Sequence, residues 1–378
     1  MPAYITGLGC CLPNAPVGND EIESVLGVVG GRPSRLKDVV LMRNGIQSRH
    51  YAIDRHTGEQ THTNAELTVA AIRQAMAADP NTAPVQLLSC GTSSPDQWIP
   101  NHAAMVQGLL RWPPCEIVST AGVCCSGMTA LKYAYLSILN GATTRAVVTG
   151  SELASTALRA SHFQSQIEAR VDENPFLAFE HEFLRWMLSD GAGAMLLADQ
   201  PRSGGPSLRI DWLDILSFAG ELETCMYSGA VKQTDGSLRG WRAETQLTEL
   251  LEQGYLNLSQ DTRLLEKNIV PVAFRRSLLE IRERRAMHAD QVDWLLPHLS
   301  SEVFRRPIAE MLAACDFAIP DERWFTNLSR KGNTGAASIF IMLEELLTSG
   351  RLERGQRIMC VVPESARFTF AYLHLTVV

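Results

Sequence analysis

A chain of 378 residues, 46% hydrophobic and 20% charged, has ample apolar material for a packed core and more length than one typical domain needs. Its formal net charge of -7 argues against a general nucleic-acid binder and against a basic membrane-surface protein. The 9 cysteines are odd in number and contain no CxxC spacing, so neither a disulfide framework nor a metal site is expected. The start MPAYITGLGCCLP lacks the basic-then-apolar pattern of a signal peptide, and no apolar run approaches the ~20 residues that cross a bilayer. A reducing cytoplasm fits these features, with no membrane and no nucleic acid as partner.

In chain order, YITGLGCCLP reads as a short buried strand closed by Pro13, followed by a helix over Asn19–Leu26 with Asn19 or Asp20 as its cap. Glu66–Ala78 is apolar at helical spacing and follows the capping pair Thr63-Asn64. Val85–Gly91, Ile117–Thr120, Arg145–Gly150 and Ala192–Ala198 are compact apolar runs, the pattern of covered strands. Ser126–Asn140 is a helix stopped at Gly141. Thr156–Trp186, rich in Arg, Glu and aromatics, interrupts the pattern as either a lid or tunnel insertion or a solvated excursion. The punctuation Pro201–Pro206 suggests an N-terminal half, residues 1–200, and a C-terminal half, residues 201–378. Beyond it, strands are expected at Ser207–Leu216, Trp294–Leu296, Gln356–Val362 and Phe368–Val377, and helices at Val270–Met287, Glu302–Ala314 and Ala336–Thr348. Buried strands alternating with amphipathic helices predict a layered α/β architecture.

The run Glu116–Ala130, EIVSTAGVCCSGMTA, delivers a strand to a turn of small residues and then starts a helix. A cysteine there meets unpaired backbone N–H groups and the positive end of the helix dipole, both of which favour thiolate. Gly122, Ser126 and Gly127 let backbone approach a substrate carbonyl closely. Free cysteine is usually a small buried core residue, so this run alone leaves nucleophile and core as open alternatives. Likewise His298, after the apolar Leu295-Leu296-Pro297, and Asn333, in GNTGAAS at a helix start, have structural readings of hydrogen bonding and capping.

Together these segments resemble β-ketoacyl-ACP synthase III of the thiolase superfamily. STAGVCCSGMTAL is similar to the family's active-site segment, with Cys125 as nucleophile before Ser126-Gly127 and Cys124 where alanine is usual. Leu41–Ile46 with Arg49-His50, Ser93–Asp96 running on to Gln107, and Leu188–Ala194 (LSDGAGA) match further family segments, so the resemblance spans nearly the whole chain. It implies a pseudo-duplicated five-layer α/β/α/β/α fold. It also implies a homodimer with Pro95–Gln107 near its interface, acyl-ACP or acyl-CoA substrates, an acyl carrier protein as partner and no cofactor.

The Cys-His-Asn set Cys125, His298 and Asn333 would then carry condensation. The thiolate accepts the acyl group, and the His298 ring N–H and Asn333 amide hold the enolate oxygen; losing one such donor typically costs ~10²–10³ in rate. The backbone N–H groups of Cys125 and Ala366 would form a second oxyanion hole.

Three departures from the family matter. His298 is followed by Leu299-Ser300-Ser301, the glycine-rich C-terminal turn is replaced by Pro363–Arg367, and Val39 stands where a tryptophan packs the coenzyme A adenine. That last change favours a carrier-protein-bound substrate. The altered turn brings Ser365 and Arg367 towards the substrate. The PESARF turn, HLSS and Ser151–Gln164, which contains Glu152, are similar to the dialkylresorcinol-forming branch, where an additional base is needed; Glu152, Glu180 and Glu364 are its candidates. An acyltransferase making an ester or amide through the same acyl-cysteine, or a non-catalytic heterodimer partner, are the competing readings. Thiolase chemistry itself would need a second cysteine in the C-terminal turn, whereas Cys360 lies inside the preceding strand.

Overall fold

The computed structural model describes residues 1–31, 33–34, 37–170 and 183–378. Nine strands form one mixed sheet: β1 (Ala3–Cys11), β2 (Leu87–Thr92), β3 (Glu116–Ala121), β4 (Arg145–Glu152), β5 (Gly191–Ala198), β6 (Leu208–Ser217), β7 (Trp294–Pro297), β8 (Arg357–Glu364) and β9 (Thr369–Val377). Their order is β7-β8-β9-β6-β1-β5-β4-β2-β3. β1 joins the two ends of this sheet, because it pairs with β5 along most of its length and with β6 only through Ala3–Ile5. The PRSGGP turn links β5 to β6.

Period-two alternation sorts the apolar residues into three cores. Leu88 and Cys90 of β2 face α1 (Asn64–Ala77) and α2 (His102–Leu110), while Leu87 faces the other way. In β8, Met359 and Val361 join an outer core with α4 (Thr262–Pro271), α5 (Leu278–Arg285) and α6 (Arg305–Ala314); Ile358, Cys360 and Val362 point inward. The inward residues of both half-sheets close on α3 (Ser126–Leu139) and α7 (Ser338–Thr348). Helices, sheet, helices, sheet and helices therefore stack as five layers, the thiolase-like α/β arrangement. Burying side chains on both faces of β2, β4 and β5 explains their near-continuous apolar runs, whereas β3, at the sheet edge, is half-exposed, so Ile117–Thr120 is not the covered strand expected.

Two local expectations change. The first helix is Ile22–Leu26 and has no side-chain cap; Glu21 instead accepts the Gly18 N–H at 2.8 Å. Val270–Met287 is not one regular helix: α4 ends at Pro271, a π-helical turn spans Val272–Ser277, and α5 follows. Proline lacks an N–H, and the carbonyls displaced by the π-turn find other donors, Ser277 Oγ to Val272 O at 2.9 Å and the Tyr372 hydroxyl to Ala273 O.

Candidate active site

The two halves meet where side chains are absent. A Cβ on Gly150 would stand 2.2 Å from Ala336 O, and one on Gly127 2.7 Å from the same oxygen. This close approach sets the loop before α7 against the start of α3, and so Asn333 beside the doubled cysteine.

At the end of β3 the chain turns through Gly122 and Val123, and α3 begins at Ser126. Consecutive residues of this turn point in different directions. Cys125 is 2% exposed and donates its thiol to Val362 O at 3.3 Å and to Thr369 O at 3.5 Å, in the core between the sheets. Cys124 is half-buried and lines two cavities, the first shared with His298 and Asn333, the second with Glu152 and Asn333. The structure thus does not bring the expected Cys125 to the cavity; it brings Cys124. The signal in the sequence was the doubling itself, two thiols at a turn with one accessible position.

Glu364, the last residue of β8, reaches under this turn. Its Oε2 accepts the Val123 N–H at 3.0 Å and the Cys125 N–H at 2.8 Å. The Cys125 N–H is therefore occupied by a carboxylate rather than open as an oxyanion donor, a correction to the expected hole. Burial, then the charges of Glu364 and Glu152, hold the Cys124 thiol well above the ordinary cysteine range. The helix start consequently does not favour thiolate as its dipole alone would, because Glu364 already takes those N–H groups. Burial also raises the Glu364 carboxyl.

β7 delivers His298, whose backbone N–H is fixed by Val361 O at 2.8 Å. The side chain is 4% exposed, and desolvation pushes its pKa down to about 4, so the ring is neutral at pH 7 and keeps one N–H donor. Asn333 is clasped through its backbone by Met187 O at 3.0 Å and the Ser189 N–H at 2.9 Å. Its Oδ1 accepts the Gly335 N–H at 2.9 Å, which leaves the amide NH₂ as its free end at the cavities it lines. Asn333 is not the helix cap expected, since the short helical turn that follows is entered from Thr334, and its Oδ1 instead closes a local turn onto Gly335.

The first cavity is apolar beyond these groups, walled by Leu265, Ile269 and Val270 of α4, Phe274 of the π-turn, Phe304 and Ile308. Leu184 and Met187, at the end of the long interrupting segment, line it too; Glu180 of that segment lies outside the described residues. Ser365 reaches this cavity, its Oγ accepting from Gln260 Nε2 at 2.9 Å. Arg367 does not: it is exposed and donates to Leu222 O at 3.3 Å. Ala366 lies outside the lining of both cavities, and its carbonyl accepts the Cys225 and Met226 N–H groups at 2.8 and 3.2 Å. The replaced turn therefore meets the site through Pro363, Glu364 and Ser365 and folds away from it at Ala366 and Arg367.

The second cavity adds Ser93, Glu152 and Leu258, and adjoins a wider cleft lined by Trp98 and Trp241, whose rings stack at 4.8 Å. Glu152 is 4% exposed, accepting from Ser93 and Ser94 Oγ at 2.5 and 2.7 Å and from the Ala336 N–H at 3.2 Å. Burial outweighs these bonds and pushes its pKa up to about 7. Val39 is exposed beside Arg43 on a separate surface pocket that shares Leu265 and Phe304 with the first cavity. Among the described residues no helix is long and apolar enough to cross a membrane.

Residues 114–202 match the family model for the β-ketoacyl synthase N-terminal domain, and residues 283–363 that for the C-terminal domain of 3-oxoacyl-[acyl-carrier-protein] synthase III. Among solved structures, the tetronic acid condensing enzyme AbyA1 is similar over 99% of each chain, at 21% identity and a TM-score of 0.76. OleA of Xanthomonas campestris aligns over 99% of this chain and 98% of its own, at 21% identity and a TM-score of 0.75. The synthase III of Aquifex aeolicus VF5 aligns over 99% of each, at 21% identity and 0.69. Fold and matched segments define an acyl-condensing enzyme of the thiolase superfamily. More narrowly, its C-terminal matched segment is similar to that of 3-oxoacyl-[acyl-carrier-protein] synthase III, and its N-terminal one to that of the β-ketoacyl synthases.

Proposed function

We propose that the chain takes an acyl group from a thioester onto Cys124 and condenses it with a second acyl thioester, His298 and Asn333 donating to the enolate oxygen. The observation that carries this reading is the wall shared by Cys124, His298 and Asn333 in a cavity of ≈ 40 Å³ whose other walls are largely apolar side chains. A second cavity reaching the same cysteine leaves room for a second acyl unit. The thiol loses its proton as acylation proceeds, and Glu364 and Glu152 are the nearby carboxylates able to take it. The similarity of the PESARF, HLSS and Ser151–Gln164 segments supports a dialkylresorcinol-type product, and the exposed Val39 supports delivery by an acyl carrier protein.

Two copies would pair through the edge strand β3, which is bonded on one side only and flanked by exposed Leu109, Tyr133 and Leu136. Exposed Trp98 and Ile99 in the Pro95–Gln107 region extend that face. Intact-mass measurement after incubation with an octanoyl thioester tests the central step. Acyl mass is expected on the wild type and on Cys125→Ala, and none on Cys124→Ala; loading that follows Cys125 would overturn the assignment. Acyl transfer only to oxygen or nitrogen nucleophiles would favour the ester- or amide-forming reading instead.

A further inference from the structure

We propose that Glu364 is the positioning residue that selects between the two adjacent thiols: it holds Cys124 out and Cys125 in, and Cys125 is a latent second acyl acceptor. The inference rests on the acyl-Cys124 reading above and extends it to the neighbouring thiol.

The selection is built from one end of the β8–β9 hairpin. Strand alternation puts Glu364 on the same inward face as Cys360 and Val362, where an apolar residue is the usual choice, and it is buried there. A carboxylate in such a place is costly unless hydrogen-bonded. Its partners are the Val123 and Cys125 N–H groups, both donating to the single atom Oε2. The same hairpin end supplies Val362 O and Thr369 O, which accept the Cys125 thiol, and Thr369 pairs with Glu364 across the hairpin. Cys125 is therefore gripped by backbone and side chain from one side.

A turn conformation that rotated Cys125 towards the cavities would carry its N–H away from Oε2 and strand a buried carboxylate. The two amide bonds oppose that conformation, and the residue between them, Cys124, is the thiol left on the cavity walls. The doubled cysteine and the acid of the replaced C-terminal turn, separate departures in sequence, meet in this contact. Without the carboxylate, Cys125 stands directly before α3 with N–H groups open to a developing oxyanion. Its acylation balances as a thioester exchange. The Cys125 sulfur attacks the acyl carbonyl and a new C–S bond forms. The C–S bond to pantetheine breaks, and the thiol proton ends on the departing pantetheine sulfur.

The test is loading from octanoyl-pantetheine, with the acylated residue read by peptide mass spectrometry. Cys124→Ala is expected to stay unloaded, and adding Glu364→Ala to it should restore loading, on Cys125, at least ~10-fold above that background. Loss of structure does not produce such a gain. Glu364→Gln keeps an oxygen able to accept both N–H groups, so Cys124→Ala with Glu364→Gln should stay unloaded. In chains that retain Cys124, iodoacetamide should label Cys124 alone in wild type and in Glu364→Gln, but both thiols in Glu364→Ala. Protection of the fully buried Cys90 and Cys360 reports an intact fold. Where those two label as well, Glu364→Asp takes the place of the Ala variant, its shorter carboxylate falling short of the turn.

The charge has a separate readout. After burial, Glu364 does most to raise the Cys124 thiol, followed by Glu152, and Cys125 and His298 are the other titratable groups beside it. Glu364→Gln should therefore alkylate Cys124 at lower pH than wild type without changing which thiol is labelled. Cys125 silent in a folded Glu364→Ala or Glu364→Asp chain, or loaded in Cys124→Ala with Glu364→Gln, would overturn the proposal. Octanoate on Cys125 of the wild type would instead remove the Cys124 reading on which it rests.

Discussion

At the scale of single residues, buried charge decides what this site can do. Glu364 ties the backbone on both sides of Cys124, and Glu152 faces it across a cavity, so the resting cysteine is a thiol between two acids. His298 stays neutral across the working range because burial holds its pKa at about 4. Asn333→Ala should therefore leave acyl loading intact while condensation falls ~10²–10³-fold, measured by intact mass and by product formation.

The same burial has a stability consequence with a definite sign. The folded pKa of Glu152, about 7, lies above its ordinary 4.5, so the folded chain binds the proton more tightly, and wild-type stability falls as pH rises between those values. Glu152→Gln should accordingly melt higher than wild type at pH 8 by an amount worth about 3 kcal/mol, an advantage that vanishes near pH 4. A thermal-shift series across pH 4–8 checks it, and a pH-independent difference would count against the buried anion.

At the scale of elements, the apolar cavity is built by α4, the π-turn and α6. Leu265 and Ile269 stand four apart on α4, and the turn at Pro271 re-aims the next residues so that Phe274 also faces the cavity. Filling this space should be read by substrate length. Ile269→Trp is expected to lower kcat/KM for a decanoyl thioester ~10-fold, about 1.4 kcal/mol, with acetyl thioester turnover little changed. Gly150→Ala acts on the contact between halves: its Cβ would meet the Ala336 carbonyl, and the backbone there has no room to give. A loss of about 1–3 kcal/mol in urea unfolding is expected, with loading impaired because the Asn333 loop and the cysteine turn part.

At the scale of the whole molecule, the five layers leave β3 as an open edge with an apolar surround. Leu136→Asp should convert a dimer into a monomer in sedimentation velocity if that edge is where two copies meet. A wild-type chain that sediments as a monomer at micromolar concentration would remove the pairing.

Much of this was legible in the residues. Covered strands announce themselves as apolar runs, and the Thr63 capping box and the α3 stop at Gly141 follow from local chemistry that tertiary packing did not override. That His298 directly follows a strand was legible too, and the fold places it with Asn333 on the wall of one cavity. Choosing between Cys124 and Cys125 was not. A one-residue step through a turn reverses a side chain's direction, and only the packing of β8 and β9 against α3 seals one thiol and leaves the other open. Tertiary structure also decided the fate of the C-terminal turn: the chain after Pro363 buries a carboxylate against two amides and sends Arg367 to solvent. Its sequence carries no periodicity that separates inward from outward, so the doubled cysteine shows by itself that thiols stand at this turn, and only the tertiary structure decides which of them lines the cavities.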